Sequence, residues 1–318
     1  MATSGSYGFS INRDQIVRKA LLDLKKIDGI DPIDPTIMSD CVLNLNLMVK
    51  QWQGRADFAP GLKVWTRKTG HLFLHAFTGQ YNINSSFAGW TNDNYDQTYT
   101  TANAAAAATA LVVQSITGVL VGDKVGVMLD TGDLFWSTVS SLGTLTINLS
   151  TPLPSSSVGG NIVFSYTSTP IQPLLIETAT LRDQWYNDTP LNLLTRPQYD
   201  FLPNKVSPNN YGDPTAILYE NQLTTGNLYT DIAGSNDTSK HIVLTYMETI
   251  QDFVNNNDTP YYPQEWYLPL CWGLAKQCAP MFNAKWTPEM ESNYQDSLAI
   301  AKRKDPQIET MYFQAYGD

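Results

Sequence analysis

The sequence predicts an α+β protein. A helical domain is formed by both chain ends, with a β-rich middle containing an inserted small β-barrel or sandwich. Three observations carry this expectation. Apolar residues recur at helical spacing over residues 16–27 and 38–52, and again over residues 263–301. From about Lys63 the period drops to two, most clearly in HLFLHAF. Between residues 110 and 166, short apolar runs alternate with Gly- and Asp-containing turns.

In chain order, Asn12 with Gln15 three residues on reads as a capping box. The apolar stripe Ile16, Val17, Ala20, Leu21, Leu24 and Ile27 follows, and Gly29 is the expected stop. Asp34 and Pro35 are an N-cap and first-turn pair for a second helix. Its face is Met38, Cys41, Val42, Leu45, Met48 and Trp52, with Gly54 at its end. The connection GIDPID is short enough for an antiparallel helical hairpin.

In HLFLHAF, residues His71, Phe73, His75 and Phe77 point one way and Leu72, Leu74 and Ala76 the other. Residues 82–103 read as a polar, Asn-rich bridge, and the tract Ala104 to Ala108 as a helix turn or a linker. Strands are expected at ALVVQSI, KVGVMLD, LFWSTVSS, TLTINL and NIVFSYT, punctuated by Gly122-Asp123, Thr131-Gly132-Asp133 and Gly159-Gly160. Further strands are PLLIETATLRD, PTAILYEN, GNLYTDI and HIVLTYMETI, with a short helix over residues 195–201. Pro263, with Gln264 and Glu265 behind it, starts a helix that is apolar nearly all round. Pro269 inside it predicts a kink, because proline lacks the N–H and its ring clashes with the preceding turn. The last helix starts at Thr287-Pro288-Glu289, carries Met290, Tyr294, Leu298 and Ala301, and ends on Lys302, Arg303 and Lys304 before Pro306.

Composition narrows the function. No apolar run approaches the ~20 residues of a membrane span. The opening MATSGSYGFS has neither the basic start nor the apolar stretch of a signal peptide, so a non-secreted chain is expected. Cys41, Cys271 and Cys278 are an odd number and read as buried thiols of a reducing cytosol. The sequons at Asn148, Asn187, Asn236 and Asn257 then say nothing of glycans. The formal net charge is -10 with no Lys/Arg cluster, which disfavours binding DNA phosphates; it suits a solvated protein and also a channel wall that DNA slides past.

Catalytic chemistry finds little footing. Asp130-Thr131-Gly132, after Val127, Met128 and Leu129, has the pattern of an aspartic protease, in which two carboxylates share a proton. The copy is single and Asp133 replaces the expected small residue, so a hairpin turn explains the string. His71 and His75 are four apart on a strand, not on one helix face, and read as core or strand-face histidines. Cys271 and Cys278 fit packing better than metal. No phosphate loop, dinucleotide fingerprint or nucleophile elbow is present. No catalytic residue, metal site or cofactor is therefore expected. Trp266, Tyr267, Leu270, Trp272 and Leu274 are candidates for packing in the core or between subunits, two settings that look alike. Met311, Tyr312, Phe313 and Tyr316 are candidates for a docking tail.

The order of strings adds a resemblance. Tyr262-Pro263-Gln264-Glu265-Trp266-Tyr267, followed by Leu274-Ala275 and Ala279-Pro280, resembles the C-terminal helix motif of phage head-to-tail adaptor proteins. These are the tail accessory factors of short-tailed phages, also called packaged-DNA stabilisation proteins. Residues 195–205, TRPQYDFLPNK, look like the group's middle signature, and Gly122-Asp123, Leu129-Asp130 to Gly132, and Trp136 fit its insert. The opening hairpin ending in Trp52 fits as well, whereas Pro269 stands where the group has a helix former.

The resemblance implies a structural virion protein in the neck or tail, assembled in the bacterial cytoplasm. Copies would form a ring, a dodecamer by analogy, whose subunits meet through heterologous surfaces. The partners implied are the portal protein above and the next tail (nozzle) or fibre protein below, with packaged DNA passing through unbound and no membrane contact. Residues 1–62 and 255–305 would be the ring-forming helical domain, 63–103 and 167–254 the β-rich region, 104–166 the inserted β domain, and 306–318 the portal-docking tail. Two readings compete: a tail component binding a host-surface glycan through the insert, and a peptidoglycan hydrolase or protease acting during infection, the protease version using Asp130.

Overall fold

The computed structural model describes residues 5–29, 31–53, 64–203, 205, 211–234 and 237–303. Helices α1 (Arg13–Asp23) and α2 (Pro35–Trp52) open the chain. Strands β1 (Arg67–Phe73), β2 (Gln80–Ile83), β3 (Trp90–Thr91), β4 (Asp96–Tyr99) and β5 (Ala110–Val112) follow. Then come β6 (Lys124–Met128), β7 (Leu134–Leu142), β8 (Thr146–Leu149), β9 (Ile162–Tyr166), β10 (Leu175–Arg182) and β11 (Asp188–Leu193). A short helix α3 (Arg196–Asp200) precedes β12 (Tyr211–Gly212), β13 (Ala216–Asn221), β14 (Gly226–Thr230), β15 (Ala233–Gly234) and β16 (His241–Met247). Helices α4 (Tyr267–Cys278) and α5 (Pro288–Arg303) close it. The protein is α+β with a β-rich middle, and it divides into a helical unit (Met1–Thr66 with Thr249–Asp318) and a β unit (Arg67–Glu248).

In the helical unit, α1 starts at the expected capping box. The Asn12 side chain accepts the Gln15 N–H and the Gln15 side chain accepts the Asn12 N–H, each at 2.9 Å. The helix ends at Asp23, well before Gly29. Lys25 adopts a left-handed φ of 56°, which lets its N–H reach Leu22 O and the Lys26 N–H reach Leu21 O. Those bonds satisfy two of the last carbonyls, a closure usually made by glycine. A lysine in that place carries no stop signal in the sequence. Asp34 caps α2 by accepting the Thr36 N–H at 2.8 Å, with Pro35 in the first turn as expected.

The α4 segment opens with a 3₁₀ turn, Gln264–Trp266, and the α-helix begins at Tyr267. Pro269 therefore lies in the first turn, where its missing N–H has no helical acceptor to lose. The expected mid-helix kink becomes a 3₁₀-to-α junction. Gly273 lets α4 approach α2: a Cβ there would meet Met48 Sδ at 2.7 Å and Trp52 at 3.0 Å. Lys276 bonds Glu291 at 2.8 Å and Trp272 meets Trp286, joining the end of α4 to the start of α5. α5 thus runs back antiparallel, and its Leu298 and Ala301 join the core that holds Trp266.

The β unit is built on an eight-stranded sheet of order β2-β14-β13-β11-β10-β16-β1-β3, antiparallel except between β11 and β13. A second sheet of order β4-β9-β6-β7-β8-β5 closes into a barrel. Thr100 bridges Val113, with N–H donors of Thr101 and Gln114 bonded to Val112 O and Tyr99 O. The insert is a barrel, not a sandwich. Val125 and Val127 on β6, Val139, Ile147 and Val163 fill it. Strand β9 is buried on both faces, which explains its unbroken apolar run: Val163 points into the barrel, while Ile162, Phe164 and Tyr166 pack outside it against Phe73 of β1.

Three sequence expectations are corrected here. The Asn-rich bridge contains β3 and β4, and β4 is a barrel strand paired along β9, so the barrel begins before residue 104. Residues 104–108 are neither helix turn nor linker. Ala104 is buried and exchanges backbone bonds with Ser157, and Ala107 takes a φ of 66°. The strand expected through Phe77 stops at Phe73, and Phe77 itself has φ 54°. In contrast, the short helix expected over residues 195–201 is present, with Thr195 and Gln198 as its capping box.

Candidate functional site

The packing candidates of α4 separate into two groups. Trp266, Leu270 and Leu274 are core: Trp266 is 1% exposed and its ring meets those of Trp52, Trp65 and Tyr262 at 5.5–5.8 Å. Tyr267 and Trp272 are half-buried. Lys19 of α1 lies over the Trp272 ring at 5.6 Å, and Tyr267 packs on Phe9 at 6.1 Å. The tail candidates Met311, Tyr312, Phe313 and Tyr316 lie outside the described residues.

Among the described residues of the helical unit, two exposed apolar surfaces stand out. One is the outer face of α2, where Leu43 (59% exposed) and Leu47 (60%) flank the fully buried Leu45 from the opposite side. Sequence reasoning missed these two, although the string Leu43-Asn44-Leu45-Asn46-Leu47 places leucines on both sides of one helix. The other is a groove of about 360 Å³ between α1, the N-terminal arm and the start of α4. Its walls include Phe9, Ile11, Tyr267, Leu268 and Cys271. The arm is held in place by the Gln264 amide, which donates to Tyr7 O at 3.1 Å and Phe9 O at 2.8 Å.

The three thiols are buried and unlinked, as expected. The Sγ atoms of Cys41 and Cys278 lie 3.7 Å apart; with Cys41 as donor, that hydrogen bond, then burial, pushes the Cys41 thiol up. Burial pushes Cys271 up to about 12. No group of three or more His, Cys, Asp or Glu that could hold a metal occurs among the described residues, and no described helix is long and apolar enough to cross a membrane.

The Asp-Thr-Gly string is a hairpin turn between β6 and β7. Gly132 takes φ 86° and its N–H bonds Leu129 O, while Leu129 N–H bonds Asp133 O. Asp130 works as a strut. It accepts the Ser156 hydroxyl at 2.6 Å, the Val158 N–H at 2.8 Å and the Asn161 amide at 3.3 Å. The serine bond foremost holds its carboxyl below the usual range. It is placed to brace the turn against the 156–161 loop.

The two histidines that lie four apart in sequence, His71 and His75, have different surroundings. His75 lies beyond β1, its Nδ1 3.2 Å from Asp133. His71 instead meets His241, because β1 and β16 pair with Phe73 opposite His241. The two rings lie 5.4 Å apart and Tyr95 contacts both, at 4.9 and 5.0 Å. Phe73 and Phe164 complete the surround of His241. Among the described residues, neither ring nitrogen of His241, nor Nδ1 of His71, has a hydrogen-bond partner. Burial lowers His71 to about 4 and His241 to about 3, so both are neutral imidazoles.

In the β unit, exposed aromatics gather at the β10–β11 hairpin: Trp185 is 70% exposed, beside exposed Tyr186 with φ 65°. No family profile matches the chain, and comparison with curated proteins finds no similar sequence.

Proposed function

We propose that the chain is a structural virion protein of a short-tailed phage, an adaptor copied around a ring that joins portal to tail. The observation that carries this reading is α2, a helix apolar on both faces. Its inner face, with Leu45 and Val49, belongs to the unit's own core, while Leu43 and Leu47 face away from it. A single globule gains nothing from the second face; a subunit with a neighbour on that side does. The ordered strings around Trp266, Tyr199 and Trp136 support the same reading through their likeness to head-to-tail adaptors. The net charge of -10 suits a channel wall past which DNA moves without binding. The portal would be gripped by residues 306–318, and the barrel would meet the next tail component.

The test is mass photometry of the chain, alone and with its cognate portal ring. A stoichiometric complex supports the reading. Leu43→Asp with Leu47→Asp is expected to abolish ring or complex formation while leaving the circular dichroism and melting temperature of the single chain unchanged. A wild-type chain that stays monomeric and ignores the portal overturns the reading.

A glycan-binding tail component is the second reading. The barrel gives it little, since its exposed large apolar side chains, Val112, Leu120, Val121, Leu145 and Val158, are aliphatic and offer no ring for a sugar to stack on. The Trp185–Tyr186 tip is the observation that favours it, and glycan-array binding lost on Trp185→Ala is its test.

A further inference from the structure

We infer that the groove beside α4 is a docking site for the chain's own C-terminal segment, residues 304–318. The groove is built rather than incidental. Phe9 and Ile11 form one wall, held there by the Gln264 amide on the arm's carbonyls, and Tyr267, Leu268 and Cys271 form the other. Phe9 is 66% exposed and Leu268 51%. That is apolar surface in one concave strip, which is how an anchoring side chain is received.

Where the chain leaves the helices selects the occupant. α5 runs antiparallel to α4, tied at its start by the Lys276–Glu291 ion pair. Its last turns pack beside the 3₁₀ turn Gln264–Trp266, at the same end of α4 as the groove. The chain therefore leaves α5 at the end of α4 that carries Tyr267 and Leu268. An extended chain covers ~3.3 Å per residue, so the eight residues from Lys304 to Met311 span about 26 Å. The whole of α4, twelve residues, is about 18 Å long. Met311, Tyr312, Phe313 and Tyr316 can thus reach any part of the groove.

Chemistry agrees with reach. The segment offers three aromatic rings and a methionine to an apolar slot, and carries Asp305, Glu309 and Asp318 against the single base Lys304. Lys19 lines the groove with its ammonium paired to Asp23 and lying over the Trp272 ring, so the fit of the segment rests on apolar contact rather than on charge. Docked in this way, the aromatic segment is kept from other apolar surfaces until a partner displaces it. The inference concerns the isolated chain and does not depend on the adaptor reading.

Cys271 supplies the readout, because its thiol lines the groove whereas Cys41 and Cys278 lie deeper in the core. The full chain is compared with the full chain carrying Tyr312→Ser and Phe313→Ser, substitutions outside the helical core. Alkylation of Cys271 under native conditions, located by mass spectrometry, is expected to be at least several-fold faster in the variant. Hydrogen exchange is expected to rise over residues 7–11 and 264–271. Leu268→Asp should give the same exchange increase at the arm without any change to the tail. Equal alkylation and equal exchange in wild type and variant overturn the inference. Protection that appears only as protein concentration rises also overturns it, because the occupant is then the segment of a second copy.

Discussion

Lowering the pH from about 7.5 to about 5 puts a defined load on the His71–His241 pair. Both imidazoles are neutral in the folded β unit, chiefly because burial disfavours the charged form. The charged groups nearest them are Arg182 and Asp188, an ion pair at 2.7 Å on adjoining strands. After burial, the neighbouring His71 lowers His241, Arg182 lowers both histidines and Asp188 raises them, while Tyr95 packs on both rings and brings no charge at these pH values. The folded state therefore binds fewer protons than the unfolded chain, in which histidine titrates near 6.5. Stability must fall as pH drops below about 6.5, and keep falling until the folded values of about 4 and about 3 are reached.

At pH 5 each unfolded histidine is favoured by about 1.5 pH units of protonation, or ~2 kcal/mol, so the pair contributes ~4 kcal/mol of destabilisation. That is a large share of an ordinary folding free energy. The carboxylates held low by their hydrogen bonds, such as Asp130 and Asp183, keep their contribution throughout this window and lose it only at lower pH. The chain has three histidines in all, so few other groups titrate there. The assay is urea denaturation at the two pH values, followed by tryptophan fluorescence, on wild type and on His241→Leu. The wild type is expected to lose ~4 kcal/mol and the variant about half of that. A wild-type loss below about 0.5 kcal/mol, or an equal loss in both proteins, refutes the reasoning.

Two further substitutions test the packing. Leu274→Ala removes a fully buried side chain from the core of the helical unit and should cost ~2–5 kcal/mol in denaturant melts; a cost under about 1 kcal/mol would place Leu274 at a surface instead. Gly70→Ala puts a Cβ 2.2 Å from Trp90 Cη2 and 3.0 Å from Tyr246, between two rings with no room to yield. It should cost at least ~1–3 kcal/mol, and an unchanged melting temperature would show that the β1–β3 edge is not packed as described.

Much of the helical unit was legible because the signals that make it are local. A capping box needs only Asn12 and Gln15, a helix start only Asp34 and Pro35, and a buried stripe only the 3.6 period. The errors fall where a bond partner is distant. Strand β11 was overlooked because Pro190 and its polar neighbours read as loop; it is tolerated because Pro190 pairs with β10 only, β13 joining later at Asn192. β4, the polar DQTY, is a strand because β9 supplies its partners from Ile162 to Ser165. The candidate surfaces divide the same way: the aromatic richness of residues 262–272 was visible, but which rings face the core was not.

By itself, then, the chain determined the α+β class, the helical ends with their caps and the hairpin nature of Asp130-Thr131-Gly132. All of these follow from residues within a turn or two of one another. Tertiary structure alone decided that the insert closes as a barrel, that His71 meets His241 rather than His75, that α2 keeps a second apolar face, and that Phe9 and Leu268 frame a groove. Each of those depends on pairing segments far apart in sequence, and such register is set by packing rather than by any local preference.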